Sequence, residues 1–116
     1  MKVPNADCAV VQREKISEYP ASPIHRHGRG KAVFFRKFGF ADTEWNVFAA
    51  ALLRHVDQHD VQKIEDSPFG RRYTVEGGMG TPDGRTPIVR SIWFILNGQT
   101  IPRFVTAYLW GGKRDD

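Results

Sequence analysis

The chain reads as an α+β domain, with N-terminal helices packed on one face of a four-stranded antiparallel meander. Three observations predict this. Apolar residues recur at three- and four-residue steps from Trp45 to Val56, the mark of one buried helical stripe. From Val61 onward the pattern changes to short apolar or alternating runs broken by Pro, Gly and Asn, which reads as strands and turns. Those turns are too short for crossovers, so consecutive strands must be neighbours.

Each element has its own signal. Met1 to Val11 is an extended lead, where Pro4 and Asn5 break any helix and Val3, Val10 and Val11 are available for burial. Lys15 to Tyr19 can make one helical turn before Pro20 and Pro23 stop it. A cationic loop, His25 to Gly30, leads into a helix ending near Phe38, with Gly39 just past its end. Asp42 and Thr43 are N-cap candidates for the next helix, and Glu44 suits its positive end. Trp45, Phe48, Ala49, Leu52, Leu53 and Val56 form its stripe. His55 and His59 lie four apart on that helix or its frayed end, a spacing that can bind a metal; without a third ligand nearby they read as solvated histidines rather than metal ligands.

The strands follow. Val61 to Glu65 is ended by the Ser67–Gly70 turn, and Arg71 to Glu76 alternates with Tyr73 and Val75 on one face. Thr81–Gly84 is a turn in which Pro82 presets φ and Gly84 tolerates a positive one. Ile88 to Leu96 is too apolar for an edge, and Asn97-Gly98 closes a hairpin onto Ile101 to Leu109. On that last strand, strict alternation sends Val105, Ala107 and Leu109 toward the helices, and Phe104, Thr106 and Tyr108 to the open face.

The bulk properties narrow the function. At 116 residues the chain is one domain, 1–116, with a real core. No apolar run approaches the roughly 18–20 residues that span a bilayer, and the N-terminus has no secretory pattern, so the expectation is a cytoplasmic protein with no membrane partner. The lone Cys8 can make neither an internal disulfide nor a zinc cluster. Scattered acidic residues offer no metal site, and no cofactor is expected. A net charge of +4 favours polyanionic partners.

The cations cluster. Ile24 to Lys31 holds two histidines, two arginines, one lysine and two glycines. His25 or His27 can act as base or acid near neutral pH. Arg29 and Lys31 can hold phosphate oxygens, and Gly28 and Gly30 let backbone approach them closely. Thr106 and Tyr108 put two hydroxyl donors on one face of one strand. Arg90, Ser91 and Arg103, on the last two strands, are secondary phosphate-binding candidates. Cleaving RNA without a metal needs a base, an acid and donors for the developing phosphorane charge, which is what these two stretches could supply. Each part also has a plainer reading, as a solvated basic loop and as ordinary strand residues of high β-propensity.

The sequence also carries Pro4-Asn5-Ala6, His25-x-x-Gly28-Arg29-x-Lys31, Phe69-Gly70-x-Arg72-Tyr73, Pro82-Asp83-Gly84-Arg85, Val89-Arg90-Ser91-x-Trp93 and Pro102-Arg103-x-Val105-Thr106-x-Tyr108. In that order it resembles a family of small bacterial domains of unknown function. More distantly, it resembles the barnase–EndoU–colicin–RelE group of ribonuclease toxins. In its branch related to ribonuclease A, found in bacterial contact-dependent toxins, a His, an Arg or Lys, and the Thr and Tyr of a T-x-Y strand form the site. That resemblance implies catalysis by His25 or His27 with Thr106 and Tyr108, and phosphate binding by Arg29 and Lys31. The implied activity is metal-independent cleavage of RNA through a cyclic phosphate, with an antitoxin or immunity protein as partner. The alternative is a non-catalytic module on the same fold, binding RNA or protein as an adaptor or toxin–antitoxin partner.

Overall fold

The computed structural model describes residues 1–12 and 45–109, in the order 3-10 turn (Ala6–Cys8), helix α1 (Trp45–Gln58), then strands β1 (Val61–Ser67), β2 (Gly70–Gly78), β3 (Ile88–Leu96) and β4 (Arg103–Leu109). The strands form one antiparallel sheet in sequence order, the expected meander, with α1 on one face. The Lys15–Tyr19 turn, the helix before Gly39 and the caps at Asp42 and Thr43 lie outside the described residues.

The stripe on α1 buries as its spacing requires. Phe48, Ala49, Leu52 and Val56 are at most 6% exposed and meet Tyr73, Val75, Val89, Trp93 and Ala107 from the sheet. Burying side chains of this size stabilises the fold by about 1.5–3 kcal/mol each. His55 departs from expectation. It is buried, at 1% exposure, because seven residues at about 100° each bring it to within roughly 20° of Phe48 around the helix. Its position put it on the apolar stripe, whatever its polarity.

The turns explain the register. Pro68 and Phe69 are the two-residue loop between paired Ser67 and Gly70, and the Ser67 hydroxyl accepts from the Phe69 amide at 3.2 Å. A Cβ at Gly70 would overlap the Ile95 carbonyl oxygen, so glycine is needed where β2 starts against β3. At the Thr81–Gly84 turn the Gly84 amide donates to the Thr81 carbonyl at 3.0 Å, and Gly84 has φ 90°. Asp83 accepts from the Thr81 hydroxyl at 2.6 Å and from Arg85 Nη2 at 2.6 Å. Those two donors, Thr81 first, hold its carboxylate down to about 2.

Asn97-Gly98 turns the chain back as expected, with the Gln99 amide donating to the Leu96 carbonyl at 2.9 Å and Gly98 at φ 80°. The Asn97 amide and side chain also donate to the carbonyls of Phe69 and Pro68 at 2.9 and 2.8 Å, which ties this loop to the β1–β2 turn. Two strand expectations are corrected. The return strand begins at Arg103 rather than Ile101, and Phe104 lies on the helix side, not the opposite face. Ile92 pairs with Thr106 but Trp93 pairs with Phe104, so Val105 is a bulge residue that shifts the alternation by one. Phe104 thereby meets Trp93 edge to face, with centroids 5.5 Å apart.

The N-terminal lead crosses the sheet from edge to edge. The Val61 amide donates to the Met1 carbonyl at 2.7 Å, and Val10 exchanges bonds of 2.9 Å with Pro102 and Phe104 beside β4. Between them Val3 is buried, whereas Val10 is 42% exposed. Asn5 supplies the corner, with φ 59° and ψ 35°, a conformation Asn tolerates better than most residues. Its side chain donates to the Thr100 carbonyl at 2.9 Å.

Candidate functional site

The face of the sheet turned away from α1 carries three cross-strand rows, set by the register. Arg72, Phe94 and Arg103 form the first; Thr74, Ile92 and Thr106 the second; Glu76, Arg90 and Tyr108 the third. Because the Val105 bulge precedes Thr106, the phase of Thr106 and Tyr108 is undisturbed and both stay on this face, as expected. Arg90 stands opposite Tyr108 and is held by Glu76, with Nε to Oε1 at 3.3 Å. Both members of that pair are half-buried, which screens the charge from solvent without removing it. Arg103 shares the face from the other end of β4 and is exposed.

Ser91 does not belong there. It is fully buried on the α1 side, and its hydroxyl lies 2.9 Å from His55 Nδ1 and 2.8 Å from Trp93 Nε1. Alternation along β3 forbids Arg90 and Ser91 from sharing a face. His25, His27, Arg29 and Lys31 lie outside the described residues. The described part of the proposed site is therefore Thr106, Tyr108, Arg90 and Arg103.

His55 on α1 and His59 just past its end make a different arrangement. Gly77 O accepts from His55 Nε2 at 3.0 Å and Gly78 O from His59 Nε2 at 2.8 Å. With its proton on Nε2, His55 must accept through Nδ1, so Ser91 donates to it while accepting from the Trp93 indole. Every polar atom of this buried chain is partnered. Burial pushes His55 down to about 4, and the charge of His59 acts in the same direction against the Gly77 bond. The rings sit 5.0 Å apart at 61°, each aimed at its own carbonyl, which is no chelate. Among the described residues no three His, Cys, Asp or Glu side chains group as metal ligands. A Cβ at Gly77 would run into the His59 ring, which explains the glycine there.

Glu76, opposite Arg90, is the residue on this face that sequence reading missed, because the Thr81–Gly84 turn by itself sets Glu76 against Val89. The strands instead fold about Asp83, with the Thr81 amide bonded to the Arg85 carbonyl, and this brings Glu76 to Arg90.

Residues 2–111 match the model of a family described as "Domain of unknown function (DUF6883)". No curated protein matches the chain. Among solved structures, the fold is similar to a chain of a contact-dependent growth inhibition toxin–immunity protein complex from Klebsiella pneumoniae 342. The TM-score is 0.71 at 17% identity, covering 90% of this chain and 95% of that one. At that identity the likeness is one of fold.

Proposed function

This chain belongs to the DUF6883 family, and we propose that it is a toxin-type endoribonuclease that cleaves RNA without a metal. The observation that carries the reading is the pairing of Tyr108 with Arg90, beside Thr106, on the sheet face opposite α1. Two hydroxyl donors and a guanidinium on adjacent strands match the needs of an anionic phosphorane. The fold shared with a chain of a toxin–immunity complex supports the same class, and with it an immunity or antitoxin protein as partner.

In this mechanism His25 or His27 takes the 2′-hydroxyl proton. The 2′-oxygen attacks phosphorus, the bond to the 5′-oxygen breaks, and that oxygen leaves with a proton from an acid in the site. The products are a cyclic phosphate and a 5′-hydroxyl. Thr106 and Tyr108 donate to the non-bridging oxygens. Arg29 and Lys31 bind phosphate, with Arg90 and Arg103 beside the hydroxyls. Incubation of the purified chain with total RNA in excess chelator is the test. Fragments ending in cyclic phosphate are expected, reduced roughly a hundredfold or more by His25→Ala and by Tyr108→Phe. Intact RNA, with no growth defect on expression, would remove the enzyme reading.

The Glu76–Arg90 pair favours a second reading, a binding module, because its cation already has a carboxylate. A module of that kind retains RNA or its protein partner after His25→Ala, and loses RNA as salt rises.

A further inference from the structure

We propose that β1 is a self-complementary edge through which two copies of this chain join their sheets into one. The edge is open to solvent: Gln62 to Ser67 are all exposed, on both faces of the strand. Ile64 is 42% exposed, an apolar residue in the middle of an otherwise polar edge.

The hydrogen-bonding groups point the right way. A two-residue loop makes Ser67 and Gly70 a hydrogen-bonded pair, so by alternation Glu65 bonds inward to β2 while Ile64 and Asp66 present their amides and carbonyls outward. Two antiparallel β1 strands centred on Ile64 then exchange backbone bonds at Ile64 itself, on the two-fold axis.

Charge selects that register. Centred on Ile64, each Lys63 stands directly opposite Glu65 of the other copy, twice by symmetry, and Ile64 covers Ile64. A two-residue slip either way sets Lys63 against Lys63 or Glu65 against Glu65, and a one-residue slip turns opposite faces of the two sheets to the same side. A lysine in mid-strand normally deters edge pairing; here the two-fold partner answers it. Within one chain Lys63 Nζ is 3.4 Å from Glu65 and Arg72 Nε is 3.8 Å from it. All three side chains are about half exposed or more, so they can be shared across the axis without refolding.

Light scattering on the purified full chain at about 100 µM tests this. Twice the chain mass of 13.2 kDa is expected. Ile64→Lys, which sets two ammonium groups on the axis, should return the mass to that of one chain with little change in the melting curve. Lys63→Glu and Glu65→Lys should each weaken the dimer at least roughly tenfold, and the double exchange should restore it. Single-chain mass for the unmodified protein overturns the proposal, which includes the case of an edge kept for another protein's strand. So does a folded double exchange that stays dissociated. Neither outcome bears on RNA cleavage.

Discussion

The two faces of the sheet spend their polar groups in opposite ways. Under α1, Trp93, Ser91, His55 and Gly77 form a closed chain of donors and acceptors with nothing left for a ligand. On the other face Thr106, Tyr108 and Arg103 are at least partly exposed, and Arg90 shares its charge with Glu76 at the surface. Ser91 and Arg90 are adjacent in sequence, yet one is consumed beneath α1 and the other pairs with Glu76 on the opposite face. A hydroxyl or cation on a strand has no role until its face is known.

Substitutions can break that contrast, and the greatest loss should come from the closed side. Trp93→Ala removes the largest fully buried side chain among the described residues and should cost about 3–5 kcal/mol in denaturant unfolding. Acid should act there next. His55 is held at about 4 against an ordinary 6.5, so the unfolded chain binds a proton first. Stability should be whole above about pH 6.5 and fall by about 3 kcal/mol as pH drops to about 4, and His55→Gln should flatten that slope. A slope equally steep in the variant would place the titrating group elsewhere.

On the face away from α1 the larger effect should be on activity. Tyr108→Phe should lower RNA cleavage roughly a hundredfold, about 2.7 kcal/mol of barrier, with the melting curve nearly unmoved. Ser91→Ala should do the reverse. It strands the Trp93 indole and His55 Nδ1 at about 1–3 kcal/mol of stability and leaves catalysis per folded molecule unchanged. If Ser91→Ala instead abolished cleavage in a folded protein, the two faces would not be separate.

Much of this was legible beforehand. Trp45 to Val56 could only be a one-sided helix, and the turns at Ser67–Gly70 and Thr81–Gly84 left no room for anything but neighbouring antiparallel strands. Glu76 against Arg90 did not follow from the second turn, because Thr81 set opposite Gly84 would bring Glu76 to Val89, whereas Thr81 bonds to Arg85 and the register moves by one. Thr106 and Tyr108 share a face by their spacing of two. The Val105 bulge was invisible, because an extra residue in a strand leaves no mark in composition, and it moved Phe104 from one face to the other. His55 was misjudged because its polarity was weighed above its angle on the helix. The wrap of Met1 to Val10 around the sheet was equally hidden, being a set of long-range backbone bonds.

Local periodicity and turn chemistry were enough to set the helix, the strands, their order and the two-residue spacing of the hydroxyls. Which polar groups are consumed in the core, which face Phe104 takes and what Ser91 touches were settled by long-range packing and register. Those depend on partners far apart in the chain, where one shifted register reverses the side on which every following residue stands.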